Sequence, residues 1–226
     1  MPKPDLSKPN LQVALDLIDL DKALEIARMA WDNGADILEA GTPLIKSEGL
    51  RAVKVLRKEF PNAVIVADMK TVDVGNLEVE LAANAGADII TVMGFSWNST
   101  IKAAIEAARK YDVLVEADLM YVENPIERAL ELKNLGVDII GIHVGIDVQK
   151  ERGITASALL EEVRRIVSIY GNNVSVAGGL KEDNVEDVVR AGARIIVVGS
   201  AITKSKNPGD ATRRIKEAIL RVLREG

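Results

Sequence analysis

Ala63-Val64-Ile65-Val66-Ala67-Asp68-Met69-Lys70-Thr71-Val72-Asp73 is an apolar, partly β-branched run that passes abruptly into charge. Such a run, followed at once by polar residues, is the form of a buried parallel strand that delivers side chains to its carboxyl end. Asp68 and Lys70 are two residues apart, so an extended backbone points both to one side. A carboxylate and an ammonium held together can bind a metal, polarise a carbonyl or move a proton. The same pair can also be an ion pair that only organises the strand end. The other strand ends bear on the choice.

Working outward, the pattern recurs. Toward the N-terminus, Leu11–Asp16 and Asp36–Gly41 read as strands, the second carrying Glu39 at its end. Leu20 to Asn33 between them has helical apolar spacing with Gly34 as its stop, and Ser47 is expected to cap a helix burying Leu50, Val53, Leu56 and Phe60. Toward the C-terminus, further strands are expected at Asp88–Gly94, Val113–Asp118, Asp138–His143, Asn173–Gly179 and Arg194–Ser200. Helices are expected over 76–85, 99–111, 125–135, 157–170 and 208–224, with Asn124 as a cap before Pro125 and a polar loop through Gly145, Asp147, Gln149 and Gly153.

Strands alternating with helices imply parallel strands joined by right-handed crossovers. Eight of them predict an α/β fold, a single-domain (β/α)8 TIM barrel over residues 11–226, with residues 1–10 as a lead segment. An open doubly wound sheet is the alternative. The 226 residues suit one such barrel of ~200 to 250 residues.

Composition removes several classes of function. A formal charge of -5 provides no basic excess for nucleic acid. Cysteine is absent, which excludes disulfides, thiolate metal sites and thiol nucleophiles, so a metal would need oxygen ligands or the one histidine. The first ten residues hold three prolines and no apolar core, so neither signal peptide nor membrane anchor is expected, and a cytoplasmic location follows by default.

In a barrel the eight carboxyl ends form one rim. That rim would gather Asp16, Glu39, Asp68, Lys70, Gly94, Asp118, His143, Gly178, Gly179, Gly199 and Ser200. Glycine turns after the seventh and eighth strands suit phosphate, since backbone N–H groups can approach its oxygens closely; they are otherwise plain tight turns. Glu39 and Asp68 suit Mg²⁺, or serve only as partners for Lys70. His143 is placed for proton transfer, or is a structural histidine. From the residues alone, the expectation is a Mg²⁺-assisted enzyme that forms an enediolate on a small phosphorylated sugar.

The D-x-K-x-x-D motif of Asp68, Lys70 and Asp73, with Leu11–Asp16 and Ala177-Gly178-Gly179, resembles the orotidine-monophosphate decarboxylase suprafamily. The run Glu39-Ala40-Gly41-Thr42-Pro43-Leu44-Ile45-Lys46 resembles its 3-hexulose-6-phosphate synthases more narrowly. The likeness covers nearly the whole chain after Asn10. It implies aldol condensation of D-ribulose 5-phosphate with formaldehyde to D-arabino-hex-3-ulose 6-phosphate, and the reverse. It further implies Mg²⁺, with Mn²⁺ possible, on Glu39 and Asp68; substrate contacts from Asp16 and Lys70; and exchange of the C1 proton by His143. Phosphate would lie on Gly178, Gly179, Gly199 and Ser200, and Asp118 is expected as a further substrate contact. Asp73 would reach the neighbouring site of a homodimer as a catalytic residue.

The related 3-keto-L-gulonate-6-phosphate decarboxylases carry arginines where this chain has Ile146 and Ser200, which counts against that activity. A pentulose-phosphate epimerase would need more histidines. A non-catalytic phosphosugar-binding barrel remains the reading from another class.

Overall fold

The computed structural model describes residues 2–224. Met1, Glu225 and Gly226, at the two ends of the expected segments, lie outside the described residues. In chain order the elements are β1 (Asn10–Leu15), α1 (Leu20–Asp32), β2 (Ile37–Ala40), α2 (Thr42–Glu48), α3 (Arg51–Glu59), β3 (Val64–Thr71), α4 (Gly75–Ala85), β4 (Ile89–Met93) and α5 (Asn98–Tyr111). They continue as β5 (Leu114–Asp118), α6 (Pro125–Leu135), β6 (Ile139–His143), α7 (Ile146–Arg152), a 3-10 turn (Ala156–Leu159), α8 (Leu160–Tyr170), β7 (Val174–Ala177), α9 (Val185–Arg190), β8 (Ile195–Val198), α10 (Ser200–Thr203) and α11 (Pro208–Arg224). All eight strands run parallel, and β8 pairs with β1 to close the barrel. The open sheet is thereby excluded.

The strands read as nearly unbroken apolar runs because both faces are buried. Outward-facing Leu11, Val13, Leu15, Leu38 and Ile65 pack under the helices. Inward-facing Ile37, Val64, Ile89, Leu114, Ile139 and Ile195 fill the amino-terminal end of the barrel, and Leu6 of the lead segment packs against them. The Asn10 side-chain amide ties that segment down by donating to the carbonyls of Asp5 (2.9 Å), Lys8 (2.8 Å) and Arg194 (3.2 Å).

A short unit recurs before β2, β4 and β6: Gly34-Ala35-Asp36, Gly86-Ala87-Asp88 and Gly136-Val137-Asp138. Each glycine has positive φ (99°, 103°, 94°), the left-handed turn that ends a helix. Each aspartate then accepts the backbone N–H of the second residue of the preceding strand: Leu11 at 2.7 Å, Ile65 at 2.7 Å and Val115 at 3.0 Å. Lys216, Arg57 and Arg109 respectively pair with these carboxylates. Neighbouring strands are so stapled in pairs at their entry ends.

Three expectations need correction. Ser47 lies inside α2 and donates to the Leu44 carbonyl at 3.1 Å; the next helix starts only at Arg51, after Gly49 breaks the chain direction. Asn124 precedes Pro125 without a side-chain cap bond. The polar loop expected after His143 is mostly α7, which buries none of its residues.

Candidate active site

The carboxyl ends of the strands open into a cavity of about 630 Å³, a size suited to a small ligand. Its depth follows from strand alternation, since every second residue faces inward. Above the apolar floor lies a polar layer of Gln12, Glu39, Thr91, Glu116 and Ser175, all buried. Above that stand Asp16, Asp68, Lys70, Asp118 and His143, with Gly178, Gly179, Gly199 and Ser200 along the β7–β8 side. Every site residue expected from the sequence therefore lines one cavity except Gly94, which is buried after β4, and Asp73, which is exposed beyond the end of β3.

Lys70 does not reach Asp68 along a plain extended strand. The pairing of β3 with β4 advances four residues on β3, Ala67 to Thr71, against two on β4, Ile90 to Val92. This bulge places Lys70 at φ 49°, and its backbone N–H donates to Thr91 Oγ1 at 3.0 Å. The bend re-aims the ammonium: Lys70 Nζ lies 3.0 and 2.8 Å from the two Asp68 oxygens and 3.3 Å from Asp118 Oδ2. Thr91 and Thr42 hydroxyls also donate to Asp68, at 2.8 and 2.7 Å.

Asp118 joins the two halves of the site. Its Oδ2 is 2.8 Å from His143 Nδ1, and its Oδ1 accepts the Met120 N–H at 2.8 Å. Burial alone would raise the Asp118 pKa, but His143 and then Lys70 outweigh it and hold the carboxyl below its ordinary value. Burial likewise opposes charge on His143 and on Lys70, and in each the adjacent carboxylates prevail: Asp118 raises His143, while Asp68 and Asp118 raise Lys70. The bond at Nδ1 leaves Nε2 as the imidazole nitrogen available to a ligand.

The carboxyls on the other side are under strain of a different kind. Glu39 is pushed well above its ordinary pKa by burial, then by Asp68 and Asp16, against a bond from Gln12 Nε2 at 2.6 Å. Asp16 is raised by desolvation and by Asp68. It sits between two glycines: a side chain at Gly41 would overlap its carboxyl, and a Cβ at Gly199 would lie 3.3 Å from it. Glu116 is raised to about 7 by burial; Ser175 donates to one of its oxygens, and the other is buried without a partner. Gly141 leaves the room for that bond, since a Cβ there would lie 2.8 Å from Glu116 Oε1.

Asp16, Glu39, Asp68, Glu116, Asp118 and Asp147 line the cavity against Lys46, Lys70 and His143. This surplus of carboxyls, with Asp68 raising both Glu39 and Asp16, fits an oxygen-bound divalent cation. Asp68 already accepts from Lys70, Thr42 and Thr91, so its share in such a cation would come from those donors.

Gln12, Thr42, Lys46, Thr91, Glu116, Met120 and Tyr121 are among the lining residues that sequence reasoning missed. A signal existed for Gln12 and Glu116: they precede Asp16, just past the end of β1, and Asp118, at the end of β5, by even numbers of residues, and so face the same way.

The profile of the family described as "Orotidine 5'-phosphate decarboxylase / HUMPS family" matches residues 9–215. A relative named 3-hexulose-6-phosphate synthase, from Mycobacterium gastri, is 38% identical over 209 residues, covering 92% of this chain and 99% of its own. A solved structure of a 3-hexulose-6-phosphate synthase superposes with a TM-score of 0.87 at 38% identity, over 92% of this chain and 99% of the other. A solved 3-keto-L-gulonate-6-phosphate decarboxylase from Vibrio cholerae O1 biovar El Tor has a TM-score of 0.84 at 27% identity, over 95% of this chain and 99% of that one.

Proposed function

The chain belongs to the orotidine 5'-phosphate decarboxylase / HUMPS family, and from that membership we propose that it condenses D-ribulose 5-phosphate with formaldehyde to D-arabino-hex-3-ulose 6-phosphate, and runs the reverse. The observation that carries this reading is Asp118, one carboxylate that holds both an imidazole and an ammonium at the mouth of a carboxyl-lined cavity. Relatives carrying the synthase name, at higher identity than the decarboxylase, support it.

In this reading the sugar phosphate lies with its phosphate on the backbone of Gly178, Gly179, Gly199 and Ser200. His143 Nε2 takes the C1 proton, and the electron pair delocalises over C1, C2 and their oxygens as an enediolate. Lys70 donates to those oxygens, where negative charge develops, and Asp16 accepts from a substrate hydroxyl. C1 then attacks the formaldehyde carbon, and the carbonyl oxygen takes the proton back from His143. Asp118 orients the imidazole and stabilises its charged form. Glu39 and Asp68 would hold Mg²⁺, with Mn²⁺ as a substitute, and the ion would supply positive charge to stabilise the enediolate. Ile146, which is uncharged, presents a neutral surface suited to an aldehyde.

The reading includes a homodimer. Asp73 is exposed and is flanked by exposed Val72 and Val74; α4 continues that face with Leu77 and Leu81, and the loop before α5 adds Phe95 and Trp97. A contiguous apolar face of this kind suits a second copy, and Asp73 would then enter the partner's site. The cytoplasm is the proposed compartment, because phosphorylated sugars do not cross membranes unaided. No described helix is long and apolar enough to span one.

The deciding measurement is loss of formaldehyde with D-ribulose 5-phosphate, with Mg²⁺ or with chelator, for wild type and His143→Ala. We expect loss only with metal and His143 together, the variant falling by about 10²- to 10⁴-fold. No loss in any sample would sink the proposal.

A further inference from the structure

The turn after β5 carries a residue that its backbone does not favour. The Val122 N–H donates to the Leu119 carbonyl at 3.0 Å, closing a four-residue turn over Leu119, Met120, Tyr121 and Val122. Tyr121, third in that turn, has φ 64°. Glycine fills such a position without strain, and a bulky aromatic does not. Strain of this kind persists where the side chain or its surroundings compensate. The Tyr121 side chain is 65% exposed, so core burial is not the compensation.

Its position offers another. Tyr121 lines the catalytic cavity together with Met120, Gly145 and Ile146. It lies across the gap between the β5 and β6 ends: a Cβ placed on Gly145 would be 3.5 Å from Tyr121 Oη and 3.0 Å from Met120 Sδ. The turn is also pinned to the reacting groups, since the Met120 N–H bonds Asp118, which bonds His143. The carbon that gives its proton to His143 is the carbon that forms the new bond. The aldehyde must therefore approach within reach of His143, on the side that Met120, Tyr121 and Ile146 enclose.

We propose that Tyr121, with Met120 and Ile146, walls the aldehyde side of the cavity and sets the size of the neutral aldehyde admitted, excluding those with a longer carbon chain. This rests on the condensation proposed above.

The test compares kcat/KM for propionaldehyde and for formaldehyde, each with D-ribulose 5-phosphate and Mg²⁺, in wild type, Tyr121→Gly, Tyr121→Phe and Met120→Ala. Tyr121→Gly relieves the turn, so its Tm is expected to be no lower than that of wild type. The propionaldehyde-to-formaldehyde ratio is expected to rise about tenfold in Tyr121→Gly and to rise also in Met120→Ala, whose backbone bond to Asp118 is retained. Tyr121→Phe, which preserves the ring, should give the wild-type ratio. A wild type that turns over formaldehyde, with a ratio unmoved in both Tyr121→Gly and Met120→Ala, overturns the wall alone. A wild type that consumes neither aldehyde overturns the condensation, and the wall with it.

Discussion

Asp118 is where single residues decide the chemistry. It holds His143 above the usual imidazole value of 6.5, chiefly by outweighing the burial that would lower it. A base works only when deprotonated, so the acid limb of kcat/KM should lie above pH 6.5. Asp118→Asn removes the attraction to the imidazolium, and the limb should shift to lower pH while the plateau falls by about 10² as the ring loses its orientation; a pH–rate profile of the variant checks both. Glu39 carries the opposite lesson. Its folded pKa stands well above its ordinary 4.5, so between the two values the native state binds more protons than the unfolded chain. Stability from this group is then full below pH 4.5 and lost as pH rises through the raised value. In chelator, Tm should fall as pH rises across that window, and Mg²⁺ should restore it most at the alkaline end, where Glu39 is ionised. Glu39→Gln should flatten both responses in a thermal-shift series. Asp16, Glu39, Asp68 and His143 were legible in the sequence because each closes an apolar run. Thr91 was not, since a mid-strand threonine looks like any β-branched residue until the bulge at Lys70 places a backbone N–H against it.

Among the elements, the Gly-Ala/Val-Asp units explain why the strands pair where they do. Asp88 is the most buried of the three, its side chain 1% exposed against 25% for Asp36 and 17% for Asp138. Arg57, its partner, retains four backbone carbonyl acceptors when the carboxylate is removed. The loss should therefore come mainly from the Ile65 N–H left without its acceptor. Asp88→Ala is expected to cost about 1–3 kcal/mol, or roughly 2–12 °C in Tm, and Asp138→Ala less; differential scanning calorimetry compares them. The eight strands could be read in advance because a buried parallel strand leaves an unmistakable run of Val, Ile, Leu and Ala. What happens after a strand end was harder to read. Ser47 has the composition of a cap but falls within a helix that Gly41-Thr42-Pro43 had already begun. The segment after His143 is polar because α7 rests on the barrel without burying a residue, so no apolar stripe announced it.

For the whole molecule, the proposed exchange of Asp73 between copies has a direct consequence. Asp73→Asn and His143→Ala should each be inactive alone. Mixed and allowed to exchange subunits, they should recover roughly a quarter of wild-type activity, because half the dimers are hybrids and each hybrid has one complete site. Recovery of none would place Asp73 in the service of its own chain. Leu77→Asp should leave a monomer by light scattering. At the amino-terminal end of the barrel, Ile37, Ile89, Ile139 and Ile195 are fully buried, with Leu6 packed against them. The chamber is therefore a cul-de-sac, and traffic through its one opening acquires a sequence. In the proposed condensation the longer sugar phosphate would occupy the depth of the chamber and the one-carbon partner would arrive above it, so the last molecule to enter would stand between the first and the way out.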